Sequence, residues 1–233
     1  MEYKYTGIVL GKKDIGEADR LYTFYTLERG KIKAIARGVR RSQAKLAGHL
    51  ENFCLVDFTV MKNRGMGNIA SAIVEENFSN IRNDFDVLRI SFEVFSKVDQ
   101  LVVEEHKDDN IFKLLCLYLA VLNGDMEKNR LISQGFIFQL LNLLGYSISV
   151  DRCGECQCAI EGDENYFNHQ VGGVICCDCA KKMSNSAFIS GNAIKLIRIF
   201  MNNRLDLLVK VKVSDKYIAN LESISNNFVK WIL

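Results

Sequence analysis

The chain has 233 residues, 48% hydrophobic and 25% charged, with a formal net charge of only +2. That composition excludes a disordered chain, and no apolar run approaches the roughly 18 residues that a membrane helix needs. The N-terminal residues Met1 to Leu10 show no signal-peptide pattern, so the reading is cytoplasmic, where eight cysteines are better suited to metal than to disulfides.

In chain order, Gly7–Leu10, Leu21–Thr26, Lys31–Ala36, Phe53–Val60 and Ile69–Val74 read as short strands, with turn chemistry at Glu28–Lys31 and Arg64–Asn68. About five strands in some 75 residues predict a small β-barrel, with an OB-fold as the leading candidate. From Asp84 the period becomes helical, first over Val87–Leu101 and then over Ile111–Val121. A third helix over Leu131–Leu144 should end at Gly145, and two more fall near Asn192–Asn202 and Asp215–Leu233. The fold class is therefore multidomain α and β. Residues 1–80 are expected to form the OB-fold, 81–150 the first part of an all-helical domain, 151–182 an inserted four-cysteine zinc-finger module, and 183–233 the helical remainder.

Cys153-x2-Cys156 and Cys176-x2-Cys179 are two knuckles separated by 19 residues. Each can present two thiolates to one ion from a tight turn, and together they complete the tetrahedral shell of structural Zn2+. Cys158 and Cys177 offer alternative pairings but lack the x2 spacing, and Cys54 and Cys116 lie in apolar runs. Four thiolates leave no open position, which argues for a structural metal over a catalytic one. His169, alone between the knuckles, reads as surface.

Charge is unevenly spread. Residues 1–50 hold eleven Lys and Arg against five Asp and Glu (+6), residues 51–180 ten against twenty (−10), and residues 181–233 nine against three (+6). A phosphate backbone would be drawn to the two ends. Lys31, Lys33, Arg37, Arg40, Arg41 and Lys45 fall within fifteen residues that contain no acid. Tyr22, Phe24 and Tyr25 on the preceding strand offer aromatic faces for bases. No Walker-type phosphate loop, G-x-S-x-G elbow or H-E-x-x-H helix occurs, and Glu104-Glu105-His106 reads as a solvated face, so binding is favoured over catalysis.

Several of these segments, in this order, carry a resemblance. Thr6-Gly7-Ile8-Val9-Leu10, Gly16-Glu17-Ala18-Asp19-Arg20-Leu21, Ala36-Arg37-Gly38-Val39-Arg40-Arg41 and Leu46-Ala47-Gly48-His49-Leu50 are followed by Leu140 to Tyr146 and by the two knuckles, the second preceded by Gly172-Gly173. Together they resemble the bacterial RecO family of recombination mediators over nearly the whole chain. The resemblance implies a non-enzymatic, nucleoid-associated protein of DNA repair that binds single- and double-stranded DNA and anneals complementary strands. It also implies engagement of the acidic C-terminal tail of single-strand-binding protein, and work with RecR to help load RecA. On this sequence the implied DNA surface is Arg40, Arg41, Arg37, Lys31, Lys45 and Arg20, with Asp19 a candidate ion-pair partner for Arg20. Ser133-Gln134-Gly135 stand where some relatives are expected to be basic, which leaves Arg130, Lys195 and Arg198 as candidates for the tail site. The rival readings are a zinc-ribbon RNA-binding or transcription-associated module, and a metal-dependent nuclease or deaminase. The second is disfavoured by the closed thiolate set and the absence of H-x-E.

Overall fold

The structure, a computed structural model, describes residues 1–44, 46–62, 65–146, 148–162 and 164–233. Five strands, β1 (Glu2–Ile15), β2 (Asp19–Thr26), β3 (Gly30–Ala36), β4 (Leu55–Met61) and β5 (Gly67–Glu76), close a barrel in the order β1-β2-β3-β5-β4. That is the strand order of an OB-fold. β1 is much longer than its apolar run because its two halves pair with different partners: Glu2–Ile8 with β4 and Gly7–Ile15 with β2. A register shift between Val9 and Gly11 bends the strand between them. Closure is weakest between β3 and β5, which pair in parallel only at Ala34–Gly67 and Ile35–Asn68.

Alternation sends Tyr22 and Phe24 of β2, and Val56, Phe58 and Val60 of β4, into one core, where the Phe24 and Phe58 rings stack with centroids 4.1 Å apart. Phe53, expected in β4, instead has φ +67°, outside strand geometry. Its fully buried ring meets Phe92 and Phe95 edge-on at 5.0 and 4.9 Å.

Three helices follow: α1 (Ser79–Asn83), α2 (Phe85–Leu101) and α3 (Asp109–Gly124). Asp84 caps α2 by accepting from the Val87 amide at 2.9 Å, and Asp108 caps α3 through the Asn110 amide at 2.7 Å. Each such cap stabilises its helix by about 1 kcal/mol. These elements form one compact unit with the barrel, Met1–Met126; Glu127–Leu233 forms a second. The sequence-based boundaries at 80, 150 and 182 stand as a proposal, in which the helical segment 81–150 straddles the division between the two units.

The second unit is built around α4 (Asn129–Leu143), whose residues Leu131 to Phe138 are all buried. Gly145, at φ +90°, ends it as expected: its amide donates to Asn142 and that of Tyr146 to Leu141. Packed on α4 are α6 (Gly191–Asn202), a 3-10 segment at Leu205–Lys210, and α7 (Asp215–Ile232). This accounts for Ser133-Gln134-Gly135. Gln134 accepts from the buried Ser225 hydroxyl at 2.8 Å, and a Cβ at Gly135 would strike Leu208. A basic side chain there would be buried. Between α4 and α6 lies a small sheet, β7-β6-β8 (β6 Asn165–Asn168, β7 Gly173–Cys176, β8 Ser186–Ile189), with the one-turn helix α5 (Cys177–Ala180).

Candidate DNA interface and metal centre

The first cysteine knuckle leaves the Arg152–Ala159 bridge and folds back on itself, the Gln157 amide donating to Cys153 O at 2.9 Å. The Gly154 amide docks it on β7 by donating to Val174 O at 2.9 Å, and a Cβ at Gly154 would strike Val171. The second knuckle forms where β7 ends and α5 begins, so that one helical turn brings Cys179 back beside Cys176. The β6–β7 turn is fixed by the buried Asn168, whose Oδ1 accepts from the Gln170 and Val171 amides.

The thiol sulfurs of Cys153, Cys156, Cys176 and Cys179 all lie within 4.8 Å of one another, and Cys156 and Cys176 are 3.8 Å apart. A tetrahedron with Zn–S bonds of about 2.3 Å has edges of about 3.8 Å, so the donor set fits zinc in both chemistry and size. Burial opposes ionisation of Cys153, but amide donors from Cys156, Cys176 and Glu155 outweigh it and bring the thiol down to about 6. Burial and the neighbouring thiols push Cys179 up, a repulsion that a cation would relieve. Cys158 and Cys177 fall outside the four-sulfur set, although Cys158 Sγ is 3.4 Å from Cys156 Sγ. Burial pushes Cys116 up to about 11, and Cys54 belongs to the barrel core. His169 is half-buried and stacks on Phe228 with centroids 6.3 Å apart.

The arginines gather at the tip of the β1–β2 hairpin. Asp19 does not pair with Arg20; its Oδ1 accepts from the Gly38 amide at 2.7 Å, and the Arg40 amide donates to Ala18 O at 3.0 Å. These two bonds fasten the Arg37–Arg41 loop to the hairpin. Arg20 pairs with Asp14 at 2.6 Å, and Arg40 reaches the same carboxylate at 3.3 Å. Hydrogen bonding to Arg20 holds Asp14 below the usual carboxylate range. Arg37, Arg40 and Arg41 are exposed, and the Arg37 Nε donates to Asn68 at 2.9 Å.

Two expectations are corrected. Lys31 is buried and its ammonium is held by the backbone and carboxylate of Asp99, so it does not belong with the exposed arginines. Tyr22, Phe24 and Tyr25 are fully buried and offer no face to a base. Both sides of β2 are covered, and the Tyr25 hydroxyl donates to Asp108 O at 3.1 Å. Lys45 lies outside the described residues.

Of the tail candidates, Arg130 makes a paired bond to Glu222 at 2.9 and 2.7 Å, and Arg198 pairs with Asp151 at 2.8 Å. Lys195 is exposed on α6. Arg130 also lines a cavity of about 290 Å³ with Lys128, Lys212, Leu131, Val211 and Ile218; Lys195 and Arg198 do not line it.

A second cationic group joins Lys33, already part of the basic cluster, to Arg29, through ion pairs that the sequence did not show. Lys33 pairs with Glu104, and Arg29 pairs with Glu105 at 2.8 Å. The hydrogen bond between Lys33 and Glu104 moves the lysine above, and the carboxyl below, their usual ranges. Partners some 70 residues apart leave no local signal in the sequence.

Residues 1–78 match the family described as Recombination protein O N terminal, and residues 95–233 match Recombination protein O C terminal. The chain belongs to the RecO family. A protein called DNA repair protein RecO from Dehalococcoides mccartyi strain 195 is 28% identical, the match covering 100% of this chain and 91% of that one. Proteins of the same name from Desulforamulus reducens and Roseiflexus are each 28% identical over 99% of this chain, covering 90% and 81% of their own lengths. Membership of this family supports a role in DNA repair and recombination, and its curated relatives are named as repair proteins. Among the described residues, no helix is long and apolar enough to cross a membrane.

Proposed function

We propose that the chain is a recombination mediator that acts by binding and not by catalysis. It binds single- and double-stranded DNA through Arg20, Arg37, Arg40 and Arg41, and anneals complementary strands without ATP. With RecR it engages strands coated by single-strand-binding protein and helps to load RecA, as a cytoplasmic, nucleoid-associated protein. The observation that carries this reading is the fastening of the arginine loop to the β1–β2 hairpin through Asp19, which gathers four arginines at one end of the barrel, two of them on the Asp14 carboxylate. Guanidinium forks bind phosphate in pairs and keep their charge at any physiological pH. Neutralising phosphates on two strands lowers the repulsion between them, and pairing then needs no further energy source.

The cavity beside Arg130 supports the partner-tail reading, because three cations, Lys128, Arg130 and Lys212, outnumber the carboxylates of Glu127 and Asp215 beside apolar walls, a combination that suits an acidic peptide with an apolar end. Cys153, Cys156, Cys176 and Cys179 would hold Zn2+, whose contribution when bound is to tie the two knuckles together.

Annealing of labelled complementary oligonucleotides, with no nucleotide present, tests the function. The chain should accelerate duplex formation by at least about tenfold at low salt, with the gain falling as salt rises. Annealing at the spontaneous rate would contradict it.

A further inference from the structure

At the weakest seam of the barrel, the edge of β3 from Gly30 to Lys33 has no strand on its β5 side among the described residues. A strap between α2 and α3 covers it. Glu104 bridges in parallel to Lys31, and the Glu105 amide donates to Lys31 O at 2.8 Å. Gly30 allows this close approach: it sits at φ +69°, and a Cβ there would strike the His106 carbonyl. Under the strap lies a cleft of about 270 Å³. It is lined by Tyr3 and Tyr5, by the cations Arg29, Lys33 and Lys62, and by Glu104 and Glu105. The Tyr3 and Tyr5 rings stack at 6.3 Å, and Tyr3 is only partly buried. The cleft is near the lower limit of ligand pockets, about 300 Å³, a size for one nucleotide and too small for a duplex.

We propose that this cleft is a second contact site for single-stranded DNA, with Glu104 and Glu105 occupying the places of two phosphates until a strand displaces them. The proposal rests on the DNA-binding reading and adds to it a site separate from the arginine loop, together with a built-in competitor. Both carboxylates are about half exposed, and their cations more than a third; ion pairs of that kind are worth little in water and exchange readily. The strap itself is held through backbone: the Lys31 carbonyl accepts from the Glu105 amide, while the buried Lys31 ammonium is held by Asp99 at the end of α2. The backbone can therefore stay in place while only two side chains turn outward. That change uncovers the ammonium of Lys33 and the guanidinium of Arg29 beside an aromatic ring on which a base can stack.

The test measures binding of a fluorescent oligo-dT by the full chain at low salt. Glu104→Gln/Glu105→Gln should tighten binding about fivefold, more than the charge-matched control Glu75→Gln/Glu76→Gln at the exposed end of β5. The gain should vanish when Arg29→Gln/Lys33→Gln is added. A gain equal to the control's, or one that survives removal of Arg29 and Lys33, would overturn the proposal while leaving the arginine-loop reading intact. Absence of wild-type binding would instead remove the DNA reading itself. A second measurement needs no variant: bound oligo-dT should protect Lys33 and Lys62 of the wild type from acetylation, and unprotected lysines would overturn the proposal.

Discussion

Two basic residues nine positions apart, Lys31 and Arg40, illustrate how charges in one segment take different roles. Lys31 faces the barrel's helical cover, and its long stem carries the ammonium to Asp99. Arg40 follows a left-handed glycine, Gly38 at φ +64°, and emerges into solvent. Lys31→Met should therefore leave oligonucleotide affinity within about twofold of wild type, since the charge it removes is already compensated at short range. A weakening comparable to that of an arginine-loop variant would return Lys31 to the DNA surface. His169 gives a second prediction at this scale. Burial lowers its pKa below the ordinary 6.5, and its buried Nδ1 has no hydrogen-bond partner among the described residues. Because the unfolded chain takes up the proton more readily, this residue's contribution to stability is fully present above pH 6.5. It is lost as pH falls through that value toward the lower folded pKa. An NMR titration should give His169 a midpoint below 6.5; a midpoint at or above 6.5 would contradict its packing on Phe228.

Among the elements, the cysteine segment depends most on a bound group. Its own apolar cluster is centred on Cys153, Ile175 and Cys179, with a few partly buried neighbours. A core that small does not hold a module together without a cross-link. Metal analysis should find one zinc per chain, and chelation should strip amide-exchange protection from β6, β7 and α5 while the barrel strands keep theirs. Uniform loss of protection across the chain, or none, would contradict the assignment. The knuckles were legible because their information is local: two x2 spacings and the glycines that let them fold. The sheet that supports them was not, since strands of four residues are too short to show a period. Phe53 misled for a related reason. Its apolar character matched the β4 run, but its left-handed backbone turns it out of the strand to pack against Phe92 and Phe95.

At the scale of the molecule, the run of five short strands, the change to helical period near residue 84 and the end of α4 at Gly145 could all be read from alternation, periodicity and one glycine. What could not be read was pairing across long separations. The end of α2 and the strap after it join residues 99–105 to residues 29–33 of the barrel, and nothing in either segment marks the other. Nor does period-two alternation reveal that β2 is covered on both faces, which turned Tyr22, Phe24 and Tyr25 from expected base platforms into core. The DNA-binding account therefore rests on the arginine end of the barrel, where exposure and charge coincide. The most direct test is binding of a fluorescent single-stranded oligonucleotide across a salt series, comparing wild type with Arg40→Ala/Arg41→Ala. The account predicts wild-type affinity that falls steeply with salt, and a variant that binds more weakly with a log–log slope shallower by about 0.7 for each phosphate that is no longer neutralised. Equal affinity and equal slope in the two proteins would contradict it.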